Sequence, residues 1–103
     1  MDSATWTPAA EIDVEDIYAH IAHHDGRRRT AKRVVQRIRT TADDLAIAFA
    51  AGSVLGTAQS NLGESHRIFS HKRWVIVFRP IDEGIEVLRV VDGSRDYDKL
   101  FGS

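Results

Sequence analysis

The sequence contains no cysteine among its 103 residues. Disulfide bridges, thiolate metal ligation and cysteine nucleophiles are therefore excluded, and the composition fits a reducing compartment. Long apolar runs are also missing, since no segment approaches the roughly 20 apolar residues of a membrane-spanning helix. The opening MDSATWTPAAE lacks the basic and apolar stretches of a signal peptide. We therefore expect a cytoplasmic protein with no membrane partner.

The chain also lacks a strong excess of charge, because its formal net charge is −1. The charges are nevertheless distributed unevenly. The first 25 residues hold six acidic side chains and no lysine or arginine, whereas residues 27–39 hold seven lysines and arginines and no acid. Such a bipolar molecule has no overall field that attracts nucleic acid, so any anion-binding surface has to be local.

Length and composition are those of one globular domain. The chain is 43% hydrophobic and 28% charged, which is too apolar and too balanced in charge for intrinsic disorder. A core of this size buries roughly two-thirds of the unfolded chain's surface and leaves no material for a second core. Residues 1–103 are therefore predicted to form a single domain.

The first half predicts two helices. SATW (residues 3–6) is short enough for an edge strand, and Thr7-Pro8 reads as an N-cap followed by proline at the first helical position. Apolar residues then recur at spacings of three and four, which predicts an amphipathic helix ending at Asp25-Gly26. Its apolar stripe consists of Ala10, Val14, Ile17 and Ile21.

A second amphipathic helix is predicted from about Thr30, closed by Gly52. Two such helices joined by a tight turn form an antiparallel hairpin. The apolar side of the second helix consists of Ala31, Val34, Val35, Ile38, Ala42, Leu45 and Phe49. Residues 52–64, GSVLGTAQSNLGE, hold three glycines and no sustained periodicity, which predicts a loop.

Beyond this loop the period changes to two, which predicts strands over residues 66–71, 74–79 and 85–91. The last is apolar on both faces except at Glu86 and Arg89, so it should be central or largely covered. The predicted fold is α+β: an N-terminal edge strand and an antiparallel two-helix hairpin packed on a mostly antiparallel sheet of three or four strands. The opposite face of the sheet is expected to be free.

Three stretches of the sequence resemble the RelE/ParE family of toxins from type II toxin–antitoxin systems. The segment WTPAAEIDVEDIYAHI is similar to the family's opening L-T-P-A-A-x-x-D-L-x-x-I-x-x-Y-I. HRIFSHKRWVIVFRP resembles the family's R-x-F-x-x-x-x-x-V-x-Y-R segment. GIEVLRVVDGSRDYDKLF resembles its ending G-I-x-V-L-R-V-L-H-G-x-R-D, with Asp92 in place of the histidine. The resemblance spans nearly the whole chain.

The resemblance implies one of two targets, because ParE-like toxins inhibit DNA gyrase without being enzymes and RelE-like toxins cleave mRNA on the ribosome. Cleaving RNA through its 2′-hydroxyl requires a proton acceptor, a proton donor and fixed cations around the phosphate. Residues 92–98 hold three aspartates against Arg95 alone, and this acidic rim would repel phosphate. We therefore favour a ParE-like gyrase inhibitor with a role in plasmid stabilisation over a ribosome-dependent mRNA endonuclease. A non-toxic protein-binding module of the same fold is the third hypothesis.

The candidate target-binding residues lie near the predicted free end of the sheet. No catalytic residue is expected of a gyrase inhibitor, whereas an mRNA endonuclease would use Tyr97 with Arg79 and Arg89. Arg89 has a structural alternative as well, since a cation within an apolar strand is expected to pair with Asp96 or Glu86. The target-binding candidates are Arg79, Arg89, Arg95, Asp96 and Tyr97.

The expected partner is a cognate antitoxin of the ribbon-helix-helix, ParD-like type, which would form a hetero-oligomer with the toxin. Its C-terminal segment would fold on the toxin surface and complement the basic side of the second helix. A solvated helix face is the ordinary alternative for such a charge run. The candidate antitoxin-binding residues are Arg29, Lys32, Arg33, Arg37 and Trp74.

No cofactor and no metal site is predicted. His20, His23 and His24 have spacings that can bring two imidazoles onto one helical face. They lack a carboxylate or cysteine of supporting spacing, so a solvated helix end is the preferred interpretation.

Overall fold

A computed structural model describes residues 3–24, 26–58 and 65–93, which form a two-helix hairpin packed on a five-stranded sheet. The strand order is β1-β5-β4-β3-β2, with β1 parallel to β5 and the other neighbours antiparallel. The elements are β1 (Thr5–Trp6), α1 (Pro8–Ala19), α2 (Arg28–Ala50), β2 (Thr57–Ala58), β3 (Arg67–His71), β4 (Trp74–Ile81) and β5 (Gly84–Asp92).

The predicted α+β fold is confirmed, including its N-terminal edge strand. The sheet has five strands rather than three or four, because the two-residue strand β2 lies within the predicted loop and pairs with β3. A strand of two residues is too short to show an alternating pattern, so the sequence did not reveal it. In the part of the chain that the structure describes, no helix has the length and apolar character needed to cross a membrane.

Thr7 joins the first strand to the first helix, as the Thr-Pro pair predicts. Its hydroxyl oxygen accepts a hydrogen bond from the Ala10 amide at 3.1 Å, which caps α1, and Pro8 follows at the first helical position. The same hydroxyl donates to the Leu88 carbonyl at 2.9 Å. One side chain therefore caps the helix and ties its start to β5.

The helical hairpin turns through a π-helical segment, His20–His24, that continues α1, followed by Gly26 with φ +64°. The second helix starts at Arg28, two residues before the predicted Thr30. It ends as predicted, because the Gly52 amide donates to the Phe49 carbonyl and Gly52 adopts φ +91°, a left-handed conformation typical of helix ends. The apolar sides of both helices pack in the core as predicted, although Val34, Val35 and Phe49 of α2 are only partly buried.

Both faces of the sheet carry buried side chains, so the prediction of a free face is wrong for its central part. Trp74, Ile76 and Phe78 alternate along β4 with Val75 and Val77 and therefore lie on the opposite face from them. Trp74, Ile76 and Phe78 pack against the helices. A second buried cluster forms on the other face, with Leu88 packed against it: Ile68, Val75, Val77 and Val91. A strand that is apolar on both faces has to be covered on both, and β4 meets this condition as fully as β5.

The two helices are also linked by an ion pair between Glu11 and Arg39. The guanidinium Nη1 and Nη2 donate to the two carboxylate oxygens at 3.1 and 3.2 Å, in bidentate geometry. The Arg39 guanidinium carbon also lies 4.8 Å from the centroid of the Trp6 ring. The hydrogen bond from Arg39, helped by its positive charge, lowers the pKa of Glu11 and outweighs the opposing effect of burial.

Replacing Gly56 by alanine is predicted to destabilise the protein more than the same replacement of Gly52. Gly56 and Gly52 both have positive φ, at +80° and +91°. A Cβ on Gly56 would collide with the Ile68 carbonyl oxygen and lie 3.3 Å from Phe78 Cζ, whereas one on Gly52 meets nothing within 4 Å. We expect Gly56→Ala to lower the free energy of unfolding by about 3 kcal/mol and Gly52→Ala by about 1 kcal/mol, measured by urea denaturation. Equal losses would contradict the collision.

The Glu11–Arg39 pair is predicted to make stability depend on pH. Since the folded-state pKa of Glu11 is lowered, the pair stabilises above glutamate's ordinary pKa of about 4.3, and this contribution disappears as pH falls through the lowered value. We expect Glu11→Gln to be less stable than the wild type at pH 7 by less than about 1 kcal/mol, because both side chains are partly exposed. The difference should shrink on acidification in urea denaturation, and in an Arg39→Gln background it should be absent at every pH.

Candidate interaction surfaces

The side chain of Asp13 completes the edge of the sheet beside β5. Strand β1 ends at Trp6 and pairs only with the first half of β5, up to Val87. Further along β5, the Val90 amide donates to Asp13 Oδ2 at 2.8 Å. The carboxylate on α1 thus accepts the hydrogen bond that a longer neighbouring strand would have accepted, and a buried backbone amide is satisfied.

Arg89 holds this carboxylate from the other side. Its Nε and Nη2 donate to the two Asp13 oxygens at 2.7 and 3.0 Å, in bidentate geometry. The predicted structural ion pair of Arg89 is therefore present, although its described partner is Asp13. Glu86, one of the expected partners, pairs with Arg79 instead, and Asp96 lies outside the described residues.

A β-bulge in β5 precedes Arg89, the residue that pairs with Asp13. Val77 pairs with Arg89 and Phe78 with Val87, so Leu88 has no directly opposed residue. The helix-facing positions consequently change from Ile85 and Val87 to Val90 along β5. This change of face cannot be read from a strictly alternating pattern.

Asp13 is the important residue that the sequence analysis did not single out. It lies three residues after Ala10 and four before Ile17, which places it on the buried stripe of α1. Its side chain is only 12% exposed. A carboxylate on an apolar helix stripe requires a charged or hydrogen-bonding partner, and this signal could have been read from the sequence.

Two further arginines of the sheet are neutralised by carboxylates. Arg79 Nε donates to Glu86 Oε1 at 2.7 Å, between directly opposed residues of β4 and β5. Arg73 pairs with Asp92, whose side chain is almost fully buried, and the Arg73 guanidinium carbon lies 4.9 Å from the centroid of the Trp74 ring. The Gly93 amide also donates to the Arg73 carbonyl at 2.7 Å. These contacts fasten the end of β5 to the start of β4.

A cleft of about 360 Å³ opens between α1 and the end of β5. Trp74 and the Asp13–Arg89 pair line it, together with His20. Three of its lining side chains are aspartates, at positions 13, 16 and 92, and we call it the acidic cleft, although Asp13 and Asp92 are each paired with an arginine. Such a cleft is poorly suited to a phosphate group.

The exposed side of α2 carries a basic face, by which we mean Arg29, Lys32, Arg33 and Arg37. All four are exposed, and none forms an ion pair with any residue within 3–24, 26–58 and 65–93. They thus differ from Arg39 on the same helix and from the paired arginines of the sheet. The four cations of the basic face are therefore available to a partner.

The structure brings some of the predicted site residues together and separates others. Arg79 and Arg89 lie on neighbouring strands, each paired with a carboxylate. The basic face gathers four of the five predicted antitoxin-binding residues on α2. The fifth, Trp74, lies apart on β4 with 8% exposure and lines the acidic cleft. The remaining target-binding candidates lie outside the described residues: Arg95, Asp96 and Tyr97.

The histidines His20, His23 and His24 lie in the π-helical segment. The rings of His20 and His24 have centroids 4.8 Å apart. Among residues 3–24, 26–58 and 65–93, no three histidine or carboxylate side chains come together in a group able to hold a metal ion.

Asp13 is predicted to contribute more to stability than Glu86, whose side chain is partly buried at 24% exposure. Replacing Asp13 with alanine removes the acceptor of the partly buried Val90 amide and breaks the bidentate ion pair with Arg89, so we expect a loss of about 2–3 kcal/mol in free energy of unfolding. Asp13→Asn keeps one acceptor and should lose about half as much. Glu86→Gln disrupts a partly exposed pair and should cost less than about 1 kcal/mol. Urea denaturation in which Asp13→Ala and Glu86→Gln lose equally would contradict this role of Asp13.

Comparison with known proteins places this architecture in a family. The family described as "ParE toxin of type II toxin-antitoxin system, parDE" matches residues 4–97, which is most of the chain. A search of curated proteins found no match. A solved structure described as "Chromosomal ParDE TA system from P. aeruginosa" shares the fold, with a TM-score of 0.71 and 24% sequence identity, over 89% of this chain and 96% of that one. The chain belongs to the ParE toxin family of type II toxin–antitoxin systems.

Proposed function

We propose that this ParE-family toxin inhibits DNA gyrase by binding to it, without catalysing a reaction. The main observation in support is that both candidate arginines of the sheet, Arg79 and Arg89, form ion pairs with carboxylates. Arg79 is held by Glu86 at 2.7 Å, and Arg89 by Asp13 at 2.7 and 3.0 Å. Cleavage of RNA requires fixed positive charge around the phosphate, and a guanidinium already neutralised by a carboxylate supplies less of it.

The acidic cleft beside Arg89 supports the same proposal. Two of its aspartates, Asp13 and Asp92, are paired with arginines, and Asp16 adds a further negative charge, so the cleft offers the phosphate of an RNA strand no excess of positive charge. A protein target does not require an excess of positive charge, because paired charges can form the polar rim of a protein interface. Nearly half of each arginine side chain is exposed, at 44% for Arg79 and 47% for Arg89. We place the gyrase-binding surface at these two residues together with Arg95, Asp96 and Tyr97.

A type II toxin–antitoxin system implies an antitoxin as the second partner. We propose that a ribbon-helix-helix antitoxin of the ParD type neutralises this toxin by covering α2, in a hetero-oligomer formed in the cytoplasm. The unpaired cations of the basic face support this position, since an acidic antitoxin segment would neutralise charges that no described residue of the toxin neutralises. Target and antitoxin then contact different parts of the surface.

The proposed target predicts the outcome of two assays with purified protein. We expect the protein to block supercoiling of relaxed plasmid by gyrase and to leave mRNA uncut in a translating extract. Cuts in the ribosomal A site with normal supercoiling would overturn the proposal in favour of an mRNA endonuclease. No effect in either assay, with harmless expression in cells, would overturn it in favour of a non-toxic binding module.

The proposed gyrase-binding surface predicts which variants lose inhibition. We expect the double variant Arg79→Glu/Arg95→Glu to need at least about tenfold more protein for half-inhibition of supercoiling, because reversed charges oppose the interface. Arg28→Glu is the control, since Arg28 is exposed on α2 and belongs to neither proposed surface. Far-UV circular dichroism would verify folding. Equal inhibition by the double variant and the wild type would contradict the assignment of these residues.

A further inference from the structure

The turn of the helical hairpin brings two imidazole rings together. His20 and His24, the first and last residues of the π-helical segment, have ring centroids 4.8 Å apart and ring planes inclined by 31°. Both residues are exposed. Ile21 and Ala22 between them are buried in the core, which anchors the backbone that carries the two rings. The pair is therefore both accessible and held in position.

The spacing of the two rings is close to that of two imidazoles bound to one metal ion. With Zn–N bonds of about 2.1 Å and a tetrahedral angle at the ion, the centroids of two such rings lie roughly 5 Å apart. Histidines four residues apart on one helix are an established arrangement of protein ligands for zinc. Because His20 and His24 already have nearly this separation, the backbone does not have to move for both rings to reach one ion.

The charge beside His20 favours a cation. Asp16 lies four residues before His20, and both line the acidic cleft. Unlike Asp13 and Asp92, Asp16 forms no ion pair with any residue within 3–24, 26–58 and 65–93. Its carboxylate, one helical turn from His20, is a supporting group that was missed from the sequence. It can offset the charge of a bound ion or supply an oxygen ligand.

We propose that His20 and His24 bind one late first-row divalent transition-metal ion, such as Zn²⁺, at the turn of the hairpin. The two imidazoles would be the nitrogen ligands, and water or the Asp16 carboxylate would fill the remaining positions. Imidazole suits Zn²⁺, Ni²⁺ and Cu²⁺, whereas Mg²⁺ and Ca²⁺ prefer oxygen ligands. A site with two histidines is consistent with the lack of a group of three ligands in the described ranges.

A bound ion would fasten the turn between the two helices. His20 directly follows α1, and His24 lies four residues before the start of α2. π-Helical turns are rare and often lie at functional sites. Ligation by both rings requires the folded turn, so metal binding has to raise the stability of the folded state. The stability of the hairpin would then depend on the supply of metal.

The test titrates Zn²⁺ into the untagged, metal-free full chain and follows the histidine ring resonances by NMR. The sequence contains five histidines, which serve as internal probes. We expect the rings of His20 and His24 to shift until one ion is bound per chain, and the other three to shift far less. An excess of Mg²⁺ should leave all five unchanged, because Mg²⁺ prefers oxygen ligands. The three reference histidines are His23, His66 and His71.

Single substitutions distinguish the pair from the third histidine of the segment. His20→Gln and His24→Gln should each weaken Zn²⁺ binding at least about tenfold in isothermal titration calorimetry, because a single imidazole replaces a prearranged pair. His23→Gln is the matched control, since His23 is exposed in the same segment, and should leave affinity within about twofold. Circular dichroism verifies the folding of all three variants.

Thermal unfolding provides a second measurement. Zn²⁺ should raise the midpoint of the wild type and of His23→Gln, and should leave the midpoints of His20→Gln and His24→Gln nearly unchanged. A rise of the same size in all four proteins would contradict a site built on these two rings.

Three further results would overturn the proposal. They are an equal loss of affinity in the three variants, equal shifts of all five histidines, and no saturation below about 1 mM Zn²⁺. The first two would indicate unspecific binding by exposed imidazoles. The metal site is independent of the proposed target, so the supercoiling assay with metal-free protein tests the proposed function separately.

Discussion

The contact between Asp13 and the edge of β5 is the interaction on which the arrangement of helices and sheet depends. A short first strand leaves the second half of β5 with an open edge, and an open edge exposes unsatisfied backbone groups. The carboxylate of Asp13 satisfies the Val90 amide and is itself held by the guanidinium of Arg89. Because Thr7 also ties the start of α1 to β5, the first helix is fixed to the sheet at two positions, 7 and 13, which are about 1.7 helical turns apart.

Arginine has two distinct roles in this protein. On the sheet, Arg73, Arg79 and Arg89 each neutralise a carboxylate and link neighbouring elements. On α2, the basic face forms no ion pair within the described part of the chain, so its charge remains available to another molecule. Residue type alone does not distinguish these roles. The presence of a carboxylate within reach does, and that is a property of the tertiary structure.

Burial on both faces of the sheet limits where a large partner can bind. The helices cover one face, and the cluster of Ile68, Val75, Val77 and Val91 is buried on the other. The two proposed surfaces accordingly consist of exposed polar residues on α2 and on β4 and β5, such as Arg79 and Arg89, rather than the buried centre of the sheet. The separation of the proposed target surface from the proposed antitoxin surface follows from this geometry.

The sequence by itself determined the helices, the strands β3 to β5 and the α+β class, because hydrophobic periodicity and capping are local properties. The family resemblance and the unequal distribution of charge could also be read from the sequence alone. The tertiary structure alone decided that Arg89 pairs with Asp13, 76 residues away, and that a bulge at Leu88 changes which side chains of β5 face the helices. It likewise decided that Trp74 is buried away from the basic face. These features depend on which side chains meet in space, and such contacts between distant residues leave no periodic trace along the chain.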